Sequence, residues 1–312
     1  MSAFFVSFNA IFPLCVSMAL GYFLRRVKLL NDEGVSLLNR LSFRVFLPVY
    51  LFDNLYKTDL SAAFNGRLLG FAVAAVVLLA LLLLAVIPKL EKDNARRGVT
   101  VQAIFRSNFA LFGLPVALSL CGQEKVGPTS LLVGLVVPVY NILAVVVLEY
   151  FRGRRPSPLP ILKGIAKNPL IIASLLGILA WASKLTFPAA VEKTVANLGG
   201  IATPLSLVAL GGDFAFGELK AYRKDLTLIA LGKLVVSPLL IVSAAVLCGF
   251  RNETLVPLLI MAGAPTAVSS YPMAQQMGGD GKLAAQAVVV TSVGSLFTMF
   301  CWIWFLKLFA FI

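Results

Sequence analysis

The chain is 312 residues long, 59% hydrophobic and 13% charged, with a formal net charge of +13. A soluble domain is about half apolar and about a quarter charged, so lipid is the solvent for most of this surface. The chain has no histidine, which excludes histidine acid–base catalysis and most zinc sites.

A helix needs roughly 20 apolar residues to cross a bilayer core. Ten such runs follow one another, at 3–24, 35–56, 66–88, 100–121, 127–151, 159–183, 190–212, 225–249, 255–277 and 283–311. In lipid, runs of this length are helices, because only a helix satisfies its backbone groups within one segment. The expected fold class is an all-α membrane protein with ten transmembrane helices. The segments between the runs are too short for a soluble domain.

The first run contains no Lys or Arg; its first basic residues, Arg25, Arg26 and Lys28, follow it. A signal peptide carries its positive charge ahead of the apolar stretch, so this run is expected to be retained with its N-terminus outside. The later loops agree. On one side lie Arg25, Arg26, Lys28, Lys89, Lys92, Arg96, Arg97, Arg152, Arg154, Arg155, Lys163, Lys167, Lys220, Arg223, Lys224 and Lys282, which is 16 of the 27 basic residues. The opposite side holds seven: Lys57, Arg67, Lys125, Lys184, Lys193, Arg251 and Lys307. This asymmetry predicts a multi-pass protein of the cell inner membrane with both termini extracytoplasmic. It reads as topology charge and not as a nucleic-acid footprint. Cys15, Cys121, Cys248 and Cys301 form no CxxC pair and read as apolar packing residues.

Ten spans divide into repeats at 1–151 and 159–312, joined by a cytoplasmic linker at 152–158. Five is odd, so the second repeat is inverted. Pro13 and Pro169 lie 156 residues apart, as do Pro48 and Pro204, while Pro115 and Pro265 lie 150 apart. The last pair shares a pattern, Gly113-Leu114-Pro115 against Gly263-Ala264-Pro265. Pro88 and Pro238 are also 150 apart but at unlike depths, so chance contributes. Interrupted helices at corresponding positions of two halves point to a transporter site.

Proline removes a backbone donor and clashes with the carbonyl four residues earlier. Pro115 would free the carbonyl of Leu111 and Pro265 that of Met261, and the adjacent glycines let each helix open. The expectation is two broken helices meeting near the midplane, with unpaired N–H groups near Val116 and Ala117 and near Thr266 and Ala267. Such ends attract an anion without a charged side chain. Asn108, Thr266, Ser269 and Ser270 supply polar neighbours.

These segments resemble the auxin efflux carrier family, including bacterial members labelled malate or malonate permeases. The motifs are Asn39-Arg40-Leu41-Ser42-Phe43 with Leu47-Pro48, Arg106-Ser107-Asn108-Phe109 with Gly113-Leu114-Pro115, Leu198-Gly199 with Thr203-Pro204, and Ala264-Pro265-Thr266. The resemblance implies two five-helix repeats whose broken fourth helices cross, with the substrate at the crossing. It implies a scaffold domain that often dimerises and a moving crossover domain. It leaves the substrate open among mono- or dicarboxylates such as malate or malonate, or an auxin-like acid. The substrate-binding set is then Asn108, Gly113, Leu114, Pro115, Val116, Gly263, Ala264, Pro265, Thr266 and Ser269.

Arg40, Arg44, Arg106 and Lys233 fall within spans. Arg40, Arg106 and Lys233 lie near enough to the inner ends to snorkel. Arg44 lies deeper, one turn before Pro48, and is expected to face protein or water with a carbonyl or acidic partner such as Asp213. Arg44, Pro48, Pro204 and Arg106 are assigned structural or gating roles. No metal site or bound cofactor is expected. Coupling to sodium or protons and simple uniport all stay open, with Gln275 and Gln276 the candidates for a weak sodium site. The expected function is a secondary transporter for a small organic anion; a membrane-embedded anion sensor is the alternative. An enzyme is not expected, since no serine–histidine pair, buried carboxylate pair or metal cluster is present.

Overall fold

The computed structural model describes residues 3–57, 65–153 and 158–312, excluding the side chains of 3–11, 114, 124, 158, 160 and 161. Most of the 152–158 linker, residues 154–157, therefore lies outside the described residues. The chain forms α1 (Ala3–Arg26), α2 (Asp32–Tyr56), α3 (Gly66–Leu90), α4 (Asn94–Phe105), α5 (Phe109–Cys121), α6 (Gly127–Phe151), α7 (Pro158–Ala166), α8 (Pro169–Ala182), α9 (Ala189–Asp213), α10 (Phe216–Ala221), α11 (Arg223–Leu247), α12 (Asn252–Gly263), α13 (Ser270–Gln276) and α14 (Gly281–Leu308). Six of these, α2, α3, α6, α9, α11 and α14, are long and apolar enough to cross a membrane. Three of the expected runs are instead built from two helical pieces each: α4 with α5, α7 with α8, and α12 with α13.

The helix starts follow from local chemistry. Asn31, Asn65, Asp93, Asn168 and Asp280 each accept a bond from a backbone N–H in the first turn of the following helix, which satisfies donors that have no partner inside it.

The prolines explain most of the irregularities within the rods. Ser42–Phe46 in α2 and Gly232–Val236 in α11 are single π turns, followed closely by Pro48 and Pro238. Widening the ladder to an i→i+5 bond, from Leu47 N–H to Ser42 O and from Ser237 N–H to Gly232 O, gives the proline ring room and absorbs its missing donor. Pro204 sits just after an interruption of α9 at Ile201. The pairing of Pro13 with Pro169 does not carry over: Pro13 lies inside continuous α1, whereas Pro169 opens α8 at its first position.

The helices pack in two groups, bridged by α1, which also lies against α14 and α5. α1 runs along the second half of α9, while the second half of α2 packs on α8 and the first half of α9. The other group joins α3, α4, α6, α11, α12 and α14, with α5 on α6 and α12. Glycines set the α1–α9 distance. A Cβ on Gly21 would collide with the Val208 carbonyl, and one on Gly211 with the Met18 carbonyl. Such close approach is how helices associate where lipid removes the hydrophobic drive between them.

Candidate functional site

Two helical rods break opposite each other. Between α4 and α5 the backbone extends at Arg106 and turns at Asn108; between α12 and α13 it extends at Ala264. Ser107 and Thr266 form an antiparallel bridge, and Asn108 N–H donates to Pro265 O at 2.8 Å.

Four of the carbonyls released at the break are re-paired, as burial favours. Met261 O, freed by Pro265, accepts from the Tyr140 hydroxyl at 3.0 Å. Ala262 O accepts from Lys233 Nζ at 3.1 Å and from Ser237 Oγ at 3.5 Å. Ala264 O accepts from Ser107 Oγ at 3.3 Å, and Ala103 O, on the other rod, from Thr266 Oγ1 at 2.8 Å.

This geometry corrects the proline reading in one half. The break at Pro265 is present, but α5 runs through Pro115 without interruption, and its rod breaks at Arg106-Ser107-Asn108 instead. A break is tolerated where a second broken strand answers its backbone groups. Ser107 and Asn108 have that answer in Thr266 and Pro265; Pro115 has none among the described residues. The N–H groups expected near Val116 and Ala117 therefore lie inside a helix. Thr266 N–H is also taken, by Thr291 Oγ1 at 3.2 Å. The helix N-terminus turned toward the crossing is that of α5, through Ala110 and Leu111.

Beside the bridge is a cavity of about 40 Å³, bordered by Arg106, Ser107, Asn108, Asn141, Thr203 and Ser269 on its polar side and by Leu47, Tyr50, Leu51 and Tyr140 on its apolar side. Of the expected binding residues, Asn108 and Ser269 reach it. Gly113 instead packs against Val133 and Phe109, Val116 is buried elsewhere, Pro115 is exposed, and the Leu114 side chain is outside the described residues. Gly263, Ala264, Pro265 and Thr266 shape the break from behind. Asn108 is 93% buried by its 7% exposure, and its Nδ2 has no partner among the described residues.

Arg106 is the largest departure from expectation. It does not snorkel: it is 3% exposed and points into the crossing. Its guanidinium donates to Asn141 Oδ1, to Ser269 Oγ at 2.7 Å, to Ser270 Oγ at 3.5 Å and to Met273 Sδ at 2.8 Å. Every partner is neutral. Lys233 is likewise fully buried instead of reaching the interface. Among the described residues neither cation forms an ion pair. Two signals could have flagged the site. Arg106 directly precedes the break, and Asn141 is the sole amide in the 25-residue α6.

Arg44 has the opposite fate. It is exposed and borders an open pocket with Glu149, Arg152, Lys163, Lys167 and Gln276, and among the described residues no hydrogen bond joins it to Asp213. Asp213 is taken by Tyr271, whose hydroxyl donates to Asp213 Oδ2 at 3.0 Å and accepts from Asn39 Nδ2 at 2.8 Å. This chain ties α13 to both α2 and α9. Arg40 is exposed. Gln275 and Gln276 end α13 away from the crossing cavity.

At the start of α4, Arg96 contacts Asp225 at 3.4 Å and Asp280 at 3.5 Å. The Tyr222 hydroxyl donates to Asp280 Oδ1 at 3.2 Å. Burial, reinforced by that hydrogen bond, pushes the Tyr222 hydroxyl up to about 12, so it remains a donor throughout the neutral range.

A membrane transport protein family model matches residues 6–160 and 157–303. Relatives include a Methanothermobacter thermautotrophicus protein named uncharacterized transporter, 25% identical over 96% of this chain and 98% of its own length. A Rhizobium meliloti putative malonate transporter is 22% identical over 93% of this chain and 92% of its own. The Escherichia coli K12 uncharacterized transporter YfdV is 23% identical over 99% of both. A multi-pass chain of apolar helices, carrying these motifs and matched over nearly its whole length, belongs to the membrane transport protein family, that of the auxin efflux carriers.

Proposed function

We propose that this protein moves a small carboxylate across the inner membrane by alternating access, binding it in the cavity beside the crossing. One observation carries the reading: a buried arginine with only neutral partners shares a cavity with a buried, unpartnered amide donor. A buried unpaired charge is costly, and an anion in the cavity offsets that cost while accepting from Asn108. The α5 N-terminus adds roughly half a positive charge.

Cavity size narrows the substrate class. About 40 Å³ holds roughly three water molecules, the bulk of a carboxylate headgroup. A short mono- or dicarboxylate such as malonate or malate fits with modest opening, and an auxin-like acid requires more. The name of the Rhizobium relative agrees with the smaller class. The two helix groups, joined through α1 and Tyr271, serve as the parts that move against each other, and the ten runs act as ten spans in two inverted repeats. The expected assembly is a homodimer in the bilayer. The relatives' names favour transport over sensing.

Uptake of labelled malonate and malate into proteoliposomes tests the reading. Uptake equal to that of protein-free liposomes for every carboxylate, with folded protein inserted, would refute it. Orientation is tested separately by fusing alkaline phosphatase, which folds only outside, after Ile312. An active fusion is expected, and an inactive fusion at normal expression overturns the topology.

A further inference from the structure

The anion site uses Arg106 but leaves the second buried cation, Lys233, without a role. Lys233 sits in the π turn of α11, is 0% exposed, and has one acceptor, Ala262 O at 3.1 Å. In an unbroken helix Ala262 O would accept from the N–H of Thr266. Here that N–H turns away to Thr291 Oγ1, so the carbonyl is released where α12 ends. A helix C-terminus carries roughly half a negative charge. Buried, it needs a positive partner as well as hydrogen bonds. The Ser237 hydroxyl donates to the same carbonyl at 3.5 Å. The surroundings are thus a carbonyl at a helix C-terminus, a serine hydroxyl and a monovalent charge enclosed by protein. Oxygen atoms are the donors that hard cations take.

We propose that the Lys233 ammonium is a built-in cation, filling the position at the end of α12 where a mobile monovalent cation would otherwise sit, so that anion binding at the crossing does not require sodium. A tethered charge is present at every stage of transport and carries no ion gradient through this position. This consequence rests on the anion-site reading, but the occupancy of the position does not, and the test separates the two.

The test compares purified wild-type protein, Lys233→Ser and Lys233→Met in sodium, lithium, potassium and choline chloride at equal ionic strength, reading melting temperature and malonate binding. Wild type is expected to melt and bind alike in sodium and choline. Lys233→Ser, which exchanges the ammonium and its stem for space and an oxygen, is expected to melt lower in choline and to regain stability in sodium or lithium. Its malonate affinity should become sodium-dependent by a factor of ordinary ligand coupling, roughly 5- to 150-fold. Lys233→Met, which fills the space without charge, is expected to be rescued by no cation. Lys233→Met that matches wild type in choline overturns the proposal, because the charge then does nothing. Lys233→Ser indifferent to every cation also overturns it. If neither variant folds, wild type decides: sodium-dependent binding refutes the proposal and indifference supports it. Failure of malonate to bind, with cation rescue of Lys233→Ser intact, refutes the anion site and leaves the cation position standing.

Discussion

Asn108→Ala separates a binding residue from a structural one. Asn108 precedes the first residue of α5, where an asparagine commonly caps the helix and its loss costs about 0.5–2 kcal/mol. Here the side chain makes no capping bond, and its Nδ2 is buried without a partner among the described residues. The ordinary cap penalty therefore does not apply. Removing an unsatisfied buried donor relieves a desolvation cost of about 1–3 kcal/mol, against the smaller loss of packing around the amide. Stability of the empty protein is expected to stay level or to rise. Binding should respond oppositely. A hydrogen bond to a charged group contributes about 1.5–3 kcal/mol, so malonate affinity should fall roughly 10- to 150-fold. Calorimetric titration of detergent-solubilised protein measures the affinity, and thermal unfolding without ligand measures stability. A variant that loses stability by more than about 1 kcal/mol while binding normally would show Asn108 to be structural and refute the argument.

Two further substitutions test how the break and the packing arise. Pro115→Ala should be tolerated or stabilising, by up to about 3 kcal/mol, because α5 is continuous there and alanine restores a donor for Leu111 O; thermal unfolding and uptake check it, and lost uptake with intact folding would return the functional break to Pro115. Pro265→Ala should instead impair uptake, since a new N–H would compete with Tyr140 for Met261 O; unchanged uptake would count against the re-paired break. Gly211→Ala should sharply lower folded yield, because its Cβ meets the Met18 carbonyl; normal yield by fluorescence size-exclusion would show that α1 and α9 can separate freely.

What the sequence determined by itself was whatever depends on local chemistry. The apolar runs gave helices and their approximate ends, because backbone groups in lipid must be satisfied within a segment. Pro265 gave one break and Met261 as its freed carbonyl, because the clash of a proline with the preceding turn is local. Tertiary structure decided the rest. Whether a proline opens its helix depends on a partner for the freed groups, and Pro265 faces Ser107 and Asn108 across a chain separation no local rule reaches, while Pro115 faces no such partner. Depth along a helix predicted that Arg106 and Lys233 would reach the interface and that Arg44 would face protein or water with a partner such as Asp213. Arg106 and Lys233 are instead buried, and Arg44 lines an open pocket with Glu149 and not with Asp213, because the side of a rod a residue occupies, and the acceptors waiting there, are set by neighbouring helices. Asn141, Ser269 and Ser270 hold Arg106 inside, and the carbonyl of Ala262 holds Lys233.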